Sequence, residues 1–137
     1  MGESAENYLK TILILQKRLG EVRSIDVANE LGVSKPSVSY AIKKLRSEGF
    51  VIMDGNRNLI LTESGQKYAA FILDRHAVIE MFLIDILHID EKTAHRDSCC
   101  LEHSISTETF NKIKEICDEQ LTSSEKQKLE TAKVGMA

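Results

Sequence analysis

The sequence predicts a mainly α-helical protein built from two coupled halves. One proline, seven glycines and 5% aromatic residues among 137 favour helices joined by short turns over a sandwich of many strands. Residues 1–70 carry 10 Lys and Arg against 8 Asp and Glu, whereas residues 71–137 carry 8 against 13. A mildly basic half can meet a polyanion, and an acidic half can hold a cation. We therefore divide the chain into domains 1–70 and 71–137, joined within a helix because no flexible linker separates them.

Several classes of protein are excluded at the outset. No apolar run reaches the ~20 residues of a membrane span, and the N-terminus lacks a signal peptide's basic start and apolar core. We expect a cytoplasmic protein with no membrane partner. Cys99, Cys100 and Cys117 are too few and too irregular for a disulfide scaffold, which leaves thiols or metal ligands. Cys117 shares an apolar helix face with Ile113 and Ile116, and we assign it to the core.

The first two helices follow from apolar periodicity and end signals. Helix 1 is predicted over about residues 4–19, and Ser24 is the predicted N-cap of a short helix 2 over 25–31. The broad apolar face of helix 1 comprises Tyr8, Leu9, Ile12, Leu13, Leu15 and Leu19. Both helices therefore have a face suited to one shared core.

The third helix follows a tight turn and has two chemically different faces. Gly32 ends helix 2, Ser34 caps helix 3, and Pro36 lies in its first turn, where a missing N–H costs nothing. This punctuation is typical of a helix-turn-helix. The spacing i, i+3, i+4, i+7 predicts a buried stripe of Val38, Ala41, Ile42 and Leu45. The outward face is polar and basic: Lys35, Ser37, Ser39, Tyr40, Lys43, Lys44, Arg46 and Ser47.

A predicted hairpin behind this helix completes a winged helix-turn-helix. Gly49 ends helix 3, and strands over about residues 50–53 and 59–61 flank a turn that tolerates positive φ. Alone, helix 3 would be an ordinary amphipathic helix, but together with the capped turn and the wing it predicts duplex DNA as a partner. Lys43, Lys44 and Arg46 would neutralise phosphates, Ser37 and Tyr40 would lie near base edges, and Arg57 would reach the backbone or minor groove. The remaining candidate contacts are Ser34, Lys35, Pro36 and Ser39.

The second half is predicted to be helical throughout. Thr62 caps a long helix 4 over about residues 63–88, whose second half is apolar on nearly every side, so a second subunit is its simplest cover. Helix 5 spans about 91–104 and opens at Asp90 or Glu91; helix 6 spans about 107–120 and opens at Ser106. Thr122 and Glu125 have the spacing of a capping box for a weak last helix, and residues past about 128 are expected to fray.

Metal-ligating residue types cluster on two of these helices. On helix 5, four of them fall at i, i+4, i+7 and i+8 and project from one face: His95, Cys99, Glu102 and His103. On helix 4, His76 and Glu80 stand one turn apart. Each residue alone is more often a solvated polar group or core filler. As a set they predict a metal site, because apolar helices have no structural use for six clustered donors.

The combination resembles the diphtheria toxin repressor family of metal-dependent regulators, including its manganese-sensing branch. The resemblance runs from about residue 6 to 121 and covers Asn7-Tyr8-Leu9, Val33 to Val38, Arg57 with Leu-Thr-Glu-Ser-Gly, Arg75-His76 and Glu102-His103. It implies a repressor of metal-uptake genes that binds a palindromic operator as a homodimer when loaded with Fe(II) or Mn(II). It also implies one site from His76, Glu80 and His95, and a regulatory site from Cys99, Glu102, His103 and Asn7. Relative to longer members, we expect the third, SH3-like domain to be missing.

The choice of metal turns on departures from the family pattern. The iron-type members have Cys at 99 but Met at 7, whereas the manganese-type members have Asp at 7 and carboxylates at 10 and 99; this chain has Asn7, Lys10 and Cys99. A cationic Lys10 cannot ligate, and thiolate is softer than Mn(II) prefers, so Fe(II) is favoured with Mn(II) next. Zn(II) and Co(II) also suit Cys, His and Glu donors.

Two other classes of function stay open from the residues alone. A winged-helix regulator could answer to a small organic ligand or to dimerisation, with a purely structural metal cluster, although we expect no such ligand. An enzyme could use a hydrolytic metal, or Cys99 as a nucleophile with His95 or His103. No Gly-rich phosphate loop, oxyanion turn or orienting third group supports it, so we expect no enzyme.

Overall fold

The structure of the protein is a computed structural model that describes residues 2–120 and 130–131. The start of the expected last helix, at Thr122 and Glu125, lies outside the described residues; of the residues past 128 that we expected to fray, 130–131 alone are described, and they are helical. The chain forms two compact units, one ending at Phe71 and one beginning at Ile72. The helix that contains this boundary is continuous, as expected for a chain without a linker.

The first unit is a helix-turn-helix followed by a two-stranded hairpin. Its elements are α1 (Glu3–Leu19), α2 (Ser24–Leu31), α3 (Lys35–Ser47), β1 (Val51–Met53), β2 (Leu59–Leu61) and the first half of α4 (Glu63–Met81). The strands are antiparallel, and Ile52 lies opposite Ile60. The Leu59 backbone N–H donates to the Val22 carbonyl at 2.7 Å, which holds the hairpin to the α1–α2 connection. The winged helix-turn-helix prediction is confirmed.

One core joins these elements. It contains fully buried side chains from α1, the α1–α2 connection, α2, α3 and the hairpin: Leu9, Ile12, Leu15, Val22, Val27, Val38, Leu45 and Leu59. The predicted stripe of α3 is confirmed, with Val38, Ile42 and Leu45 buried and Ala41 half-buried. Leu19, placed on the buried face of α1 by periodicity, is 53% exposed. It is the last residue of α1, and the chain turns away at Gly20 with φ 84°.

The predicted helix caps of this unit are confirmed with one exception. The Ser34 hydroxyl accepts from the Ser37 N–H at 3.3 Å, and the Thr62 hydroxyl accepts from the Gly65 N–H at 3.1 Å. Ser24 is the first residue of α2 and not its N-cap. Arg23 occupies the cap position, and the Asp26 carboxylate accepts from the Arg23 N–H at 2.9 Å. An acidic side chain in the first turn thus replaces the hydroxyl cap.

The second unit contains the rest of α4, a π-helical segment (Phe82–Ile86), α5 (Glu91–Ser104) and α6 (Thr107–Gln120). The expected continuous helix to His88 is therefore wrong: the α-helix ends at Met81, and the Leu87 N–H donates to the carbonyl of Phe82, five residues back. The helical run ends at Ile86 with Leu87 as its C-cap, and His88 follows outside it with φ 58°. The caps of α5 and α6 are confirmed, since Asp90 accepts from the Thr93 N–H and Ser106 from the Thr109 N–H.

The apolar part of α4 is packed against α5 and α6 of the same chain. The buried residues of this cluster are Ala77, Val78, Ile79, Leu83, Ala94, Phe110 and Cys117. Cys117 lies in the core as predicted, and burial, followed by the charges of Asp118 and Asp85, raises its pKa to about 11. Met81, Phe82, Ile84 and Ile86 are only half-buried, so the chain's own helices cover part of the surface for which we expected a second subunit.

Candidate metal centre and nucleic-acid interface

The second unit brings the six donors predicted on α4 and α5 into one cluster. His76 and Glu80 project from consecutive turns of α4, and α5 presents the other four. The rings of His76 and His95 meet edge to face, with centroids 5.1 Å apart and planes inclined at 74°. Side chains from two helices thus converge on the two imidazoles.

One side of the imidazole pair faces a carboxylate. The Glu80 Oε2 atom lies 2.7 Å from His76 Nε2 and 3.4 Å from His95 Nδ1. We call these three atoms the carboxylate edge. The three donors are one carboxylate oxygen and two imidazole nitrogens, a set that suits Mn(II), Fe(II) and Zn(II).

The other side of the pair faces a thiol. The Cys99 Sγ atom lies 3.9 Å from both His76 Nδ1 and His95 Nε2. We call these three atoms the thiol edge. His76, His95 and Cys99 can each offer one ligand atom such that all three lie within 4.8 Å of one another.

A second carboxylate lies deeper in the cluster. Glu102 is 2% exposed, and its carboxylate oxygens lie 3.2 Å from His76 Nδ1 and 3.2 Å from His103 Nε2. A buried carboxylate with two imidazole neighbours is compensated either by protons on those rings or by a cation.

The protonation of His76 reflects these neighbours. Burial disfavours the imidazolium and lowers the pKa of His76, but hydrogen bonds and charges from Cys99 and Glu102 outweigh burial and raise it to about 9. Without metal, His76 is therefore a cation at neutral pH. A divalent ion would replace that proton as the counter-charge to the cluster.

The residues fit a transition-metal ion. The buried His76 Nε2 atom makes no hydrogen bond, although Glu80 Oε2 lies only 2.7 Å away, so the two atoms are close without the alignment of a hydrogen bond. Donors that share one ion at ~2.1 Å are about 3.0–3.4 Å apart, close to the two distances at the carboxylate edge. An N/O/S donor set of this kind binds divalent transition metals.

Asn7, the seventh predicted ligand, is not on α4 or α5 with the six donors of the cluster. It is on α1 in the first unit and lines a cavity of about 460 Å³ with Glu3, Ser4, Tyr8, Leu31 and Val33. Its role as a metal ligand stays a prediction.

The predicted outward face of α3 is exposed along its length. Lys35, Ser37, Ser39, Tyr40, Lys43, Lys44 and Arg46 are all exposed, as are Ser34 and Pro36. Tyr40 is 75% exposed, an unusual position for an aromatic ring unless it meets a partner. The Ser37 hydroxyl lies 2.8 Å from that of Ser34, so part of its hydrogen-bonding capacity serves the cap.

The wing presents Arg57 in a constrained turn. Arg57 is exposed and has φ 64°, and the Asp54 carboxylate accepts from the N–H groups of Asn56 and Asn58 at 2.8 and 2.9 Å. Beside the wing, Lys43, Arg46 and Ser47 of α3 border a cavity of about 480 Å³ against β1. Cations on both the helix and the wing suit an anionic backbone.

Comparison with known proteins decides the family. Residues 1–59 match the model of the N-terminal DNA binding domain of iron dependent repressors, and residues 62–128 match that of their metal binding and dimerisation domain. A helix-turn-helix transcriptional regulator of Methanocaldococcus jannaschii is 35% identical over 115 residues, which are 83% of this chain and 92% of the relative. The chain belongs to the diphtheria toxin repressor family. It is therefore a metal-dependent transcriptional regulator and not an enzyme.

One further relative and one solved structure are similar to most of this chain. The transcriptional regulator MntR of Salmonella typhimurium is 36% identical over 123 residues, 90% of this chain and 78% of the relative. The solved structure of the manganese regulator SloR superposes with a TM-score of 0.74 at 31% identity, covering 83% of this chain and 53% of that chain. The chain thus spans about half the length of the SloR chain.

Sequence reasoning gave no role to Arg75, the residue that directly precedes His76 on α4. Arg75 is 7% exposed; its guanidinium donates to the Ile105 carbonyl and lies over the Phe110 ring, 5.3 Å from the centroid. It thereby fixes α4, next to His76, against the α5–α6 turn. The sequence signal for this role was a charged residue inside an apolar helix segment.

Within the described residues, none of the helices combines the length and the apolar character that a membrane span requires.

Proposed function

We propose that this protein represses metal-uptake genes by binding a palindromic operator as a homodimer when Fe(II), or in second place Mn(II), occupies the centre on α4 and α5. The observation that carries the proposal is the convergence of six donors from two helices around His76 and His95. The similarity to the manganese regulator SloR supports a first-row divalent ion as the signal.

The metal ligands we propose are His76, Glu80, His95, Cys99, Glu102, His103 and Asn7. When bound, the ion supplies positive charge that compensates the Glu80 and Glu102 carboxylates and the Cys99 thiolate. Cys99 gives up its thiol proton when it ligates the ion. His76 gives up the proton that it holds in the metal-free protein because its pKa is raised. The chain's own part is to hold these donors in place on two packed helices.

The DNA contacts we propose lie on α3 and the wing. Lys43, Lys44 and Arg46 neutralise phosphates, Tyr40 lies at base edges and Arg57 reaches the backbone or the minor groove. The exposure of all five side chains supports this assignment. A dimer would hold two copies of α3 about 34 Å apart, one turn of duplex DNA. The half-buried apolar residues Met81, Phe82, Ile84 and Ile86 support a second copy as the cover of the second unit.

The proposal is tested by removing ligands and following DNA binding. With Fe(II) as the added metal, Cys99→Ala and Glu102→Ala should each abolish the metal-dependent gain in operator affinity while leaving a folded dimer by circular dichroism and sedimentation. Cys100→Ala is the matched control, because this thiol is exposed on the same helix and belongs to neither edge of the cluster. Full metal-dependent binding by both ligand variants would refute the proposed centre.

A further inference from the structure

The two imidazoles of the metal centre are each approached from both sides. His76 presents Nε2 to Glu80 at 2.7 Å and Nδ1 to Cys99 at 3.9 Å. His95 presents Nδ1 to Glu80 at 3.4 Å and Nε2 to Cys99 at 3.9 Å. The carboxylate edge and the thiol edge therefore use opposite nitrogens of the same two rings.

This arrangement differs from the grouping that the family resemblance implies. That grouping places Cys99 with Glu102, His103 and Asn7, apart from His76 and His95. In the structure, Cys99 has His76 and His95 as its hydrogen-bonding neighbours. The thiol edge is thus a donor set of its own, with one sulfur and two nitrogens.

The distances at the thiol edge suit an ion that favours thiolate. With metal–sulfur at ~2.3 Å and metal–nitrogen at ~2.1 Å, a tetrahedral ion separates sulfur from nitrogen by about 3.6 Å. The two observed separations of 3.9 Å are close to this value. Glu102 Oε2, 3.2 Å from His76 Nδ1, offers a fourth donor on the same side. Tetrahedral S/N sites of this composition favour Zn(II) and Co(II) over Mn(II).

We propose that the centre contains two alternative metal positions on opposite edges of the His76 and His95 rings: a carboxylate edge for Mn(II) and a thiol edge for Zn(II) or Co(II). The positions exclude one another, because a neutral imidazole has one free nitrogen lone pair and cannot serve two ions at once. Binding at the thiol edge converts the Cys99 thiol to a thiolate and frees the Nδ1 lone pair of His76, so that one proton from each of these two side chains is released to solvent. This inference rests on the proposed metal centre and adds to it a basis for metal discrimination.

The experiment compares two metals on three variants of the full chain, prepared metal-free under anaerobic conditions. Co(II) binding is followed by thiolate-to-metal charge-transfer absorption, and Mn(II) binding by the electron paramagnetic resonance signal of free Mn(II). Cys99→Ser should remove the charge-transfer band and lower the affinity for Co(II) at least about tenfold more than that for Mn(II). Glu80→Gln should keep the band and weaken Mn(II) at least about tenfold more than Co(II).

Cys100→Ser is the matched control, since it removes the neighbouring thiol of α5, which is exposed and outside both edges. It should keep the charge-transfer band and both affinities. Adding Co(II) to the Mn(II)-loaded wild type should release one Mn(II) for each Co(II) bound. Absence of the band in the wild type, equal losses of both metals in Cys99→Ser and Glu80→Gln, or binding of Co(II) without release of Mn(II) would each overturn the proposal.

Wild-type protein supplies a readout that does not depend on variant folding. X-ray absorption spectroscopy of the bound metal should show a sulfur neighbour for Zn(II) or Co(II) and none for Mn(II). A sulfur neighbour for Mn(II) as well, or for none of the metals, would overturn the two-position assignment. All of these measurements are made without DNA. If the sulfur neighbour is found for Zn(II) or Co(II) and not for Mn(II), but operator binding does not depend on metal, the proposed function fails and the two metal positions stand.

Discussion

Gly65, at the start of α4, is the position where the structure predicts the sharpest steric penalty. A Cβ atom at residue 65 would lie 2.0 Å from the Phe50 carbonyl oxygen, whereas real Cβ atoms essentially never come within 3.0 Å of such a neighbour. The obstacle is backbone, so no side-chain rotation can relieve the clash. Gly65→Ala must therefore push α4 away from the chain segment that leads into the wing.

The size of the effect follows from opposing terms. Overpacking costs about 1–3 kcal/mol, and the displacement strains the hydrogen bond from the Thr62 N–H to the Phe50 carbonyl at 3.0 Å, worth about 1 kcal/mol. Replacing glycine by alanine within a helix stabilises the helix by about 1 kcal/mol, which offsets part of this cost. We expect a net loss of about 1–3 kcal/mol in the free energy of unfolding, which for a chain of this size lowers Tm by roughly 4–12 °C.

The assay is thermal and urea unfolding of metal-free protein at one fixed concentration, followed by circular dichroism. Gly55→Ala is the control, because an added Cβ there meets nothing within 4 Å and its stability should change by less than about 0.5 kcal/mol. A Gly65→Ala protein as stable as the wild type, or more stable, would refute the packing of α4 against the Phe50 backbone.

The remaining predictions concern DNA contacts, pH and thiol chemistry. Lys44→Ala should lower operator affinity across all sequences and reduce the salt slope by about 1, whereas Tyr40→Ala should alter sequence preference; anisotropy against matched and mismatched duplexes separates the two, and identical behaviour would contradict the sorting into phosphate and base contacts. Because the pKa of metal-free His76 is raised from 6.5 to about 9, its contribution to apo stability is fully present below pH 6.5 and is lost as pH rises through 9. The same proton must leave when metal binds, so metal affinity should rise with pH up to about 9, and a titration by calorimetry showing flat or falling affinity would contradict this. Burial raises the pKa of Cys117 to about 11, so in native protein at pH 8 Cys117 should react with a thiol reagent at least about tenfold more slowly than exposed Cys100; equal rates by mass spectrometry would contradict its place in the core.

Most of the fold could be predicted because its signals are local. Ser34, Pro36 and Gly49 punctuate α3, and Thr62, Asp90 and Ser106 mark the starts of later helices through side-chain caps that the structure contains. The N-cap of α2 escaped prediction because Arg23, a residue without cap preference, is held by the Asp26 carboxylate. The π-helical segment Phe82–Ile86 escaped because its composition is that of any buried helix and periodicity assumes a regular turn.

The candidate site was predictable as a set of residues but not as a geometry. Helical spacing places His95, Cys99 and Glu102 on one face of α5, and the structure brings that face to His76 and Glu80. Which nitrogen of each imidazole meets the thiol and which meets the carboxylate depends on ring orientation, which spacing along one helix does not determine. The contact between the Arg75 guanidinium and the Ile105 carbonyl joins residues 30 apart in the chain, a separation that local sequence patterns do not reveal.

The proposed function requires that metal strengthen DNA binding, and one titration measures this coupling. Metal-free protein would be titrated anaerobically onto fluorescent duplex DNA from the region upstream of its own gene, with Fe(II), Mn(II) or no metal, and binding read as anisotropy. We expect metal to tighten binding by at least tenfold, about 1.4 kcal/mol of coupling, and the metal with the larger effect is the better signal. Tight binding that is the same with and without metal would contradict it.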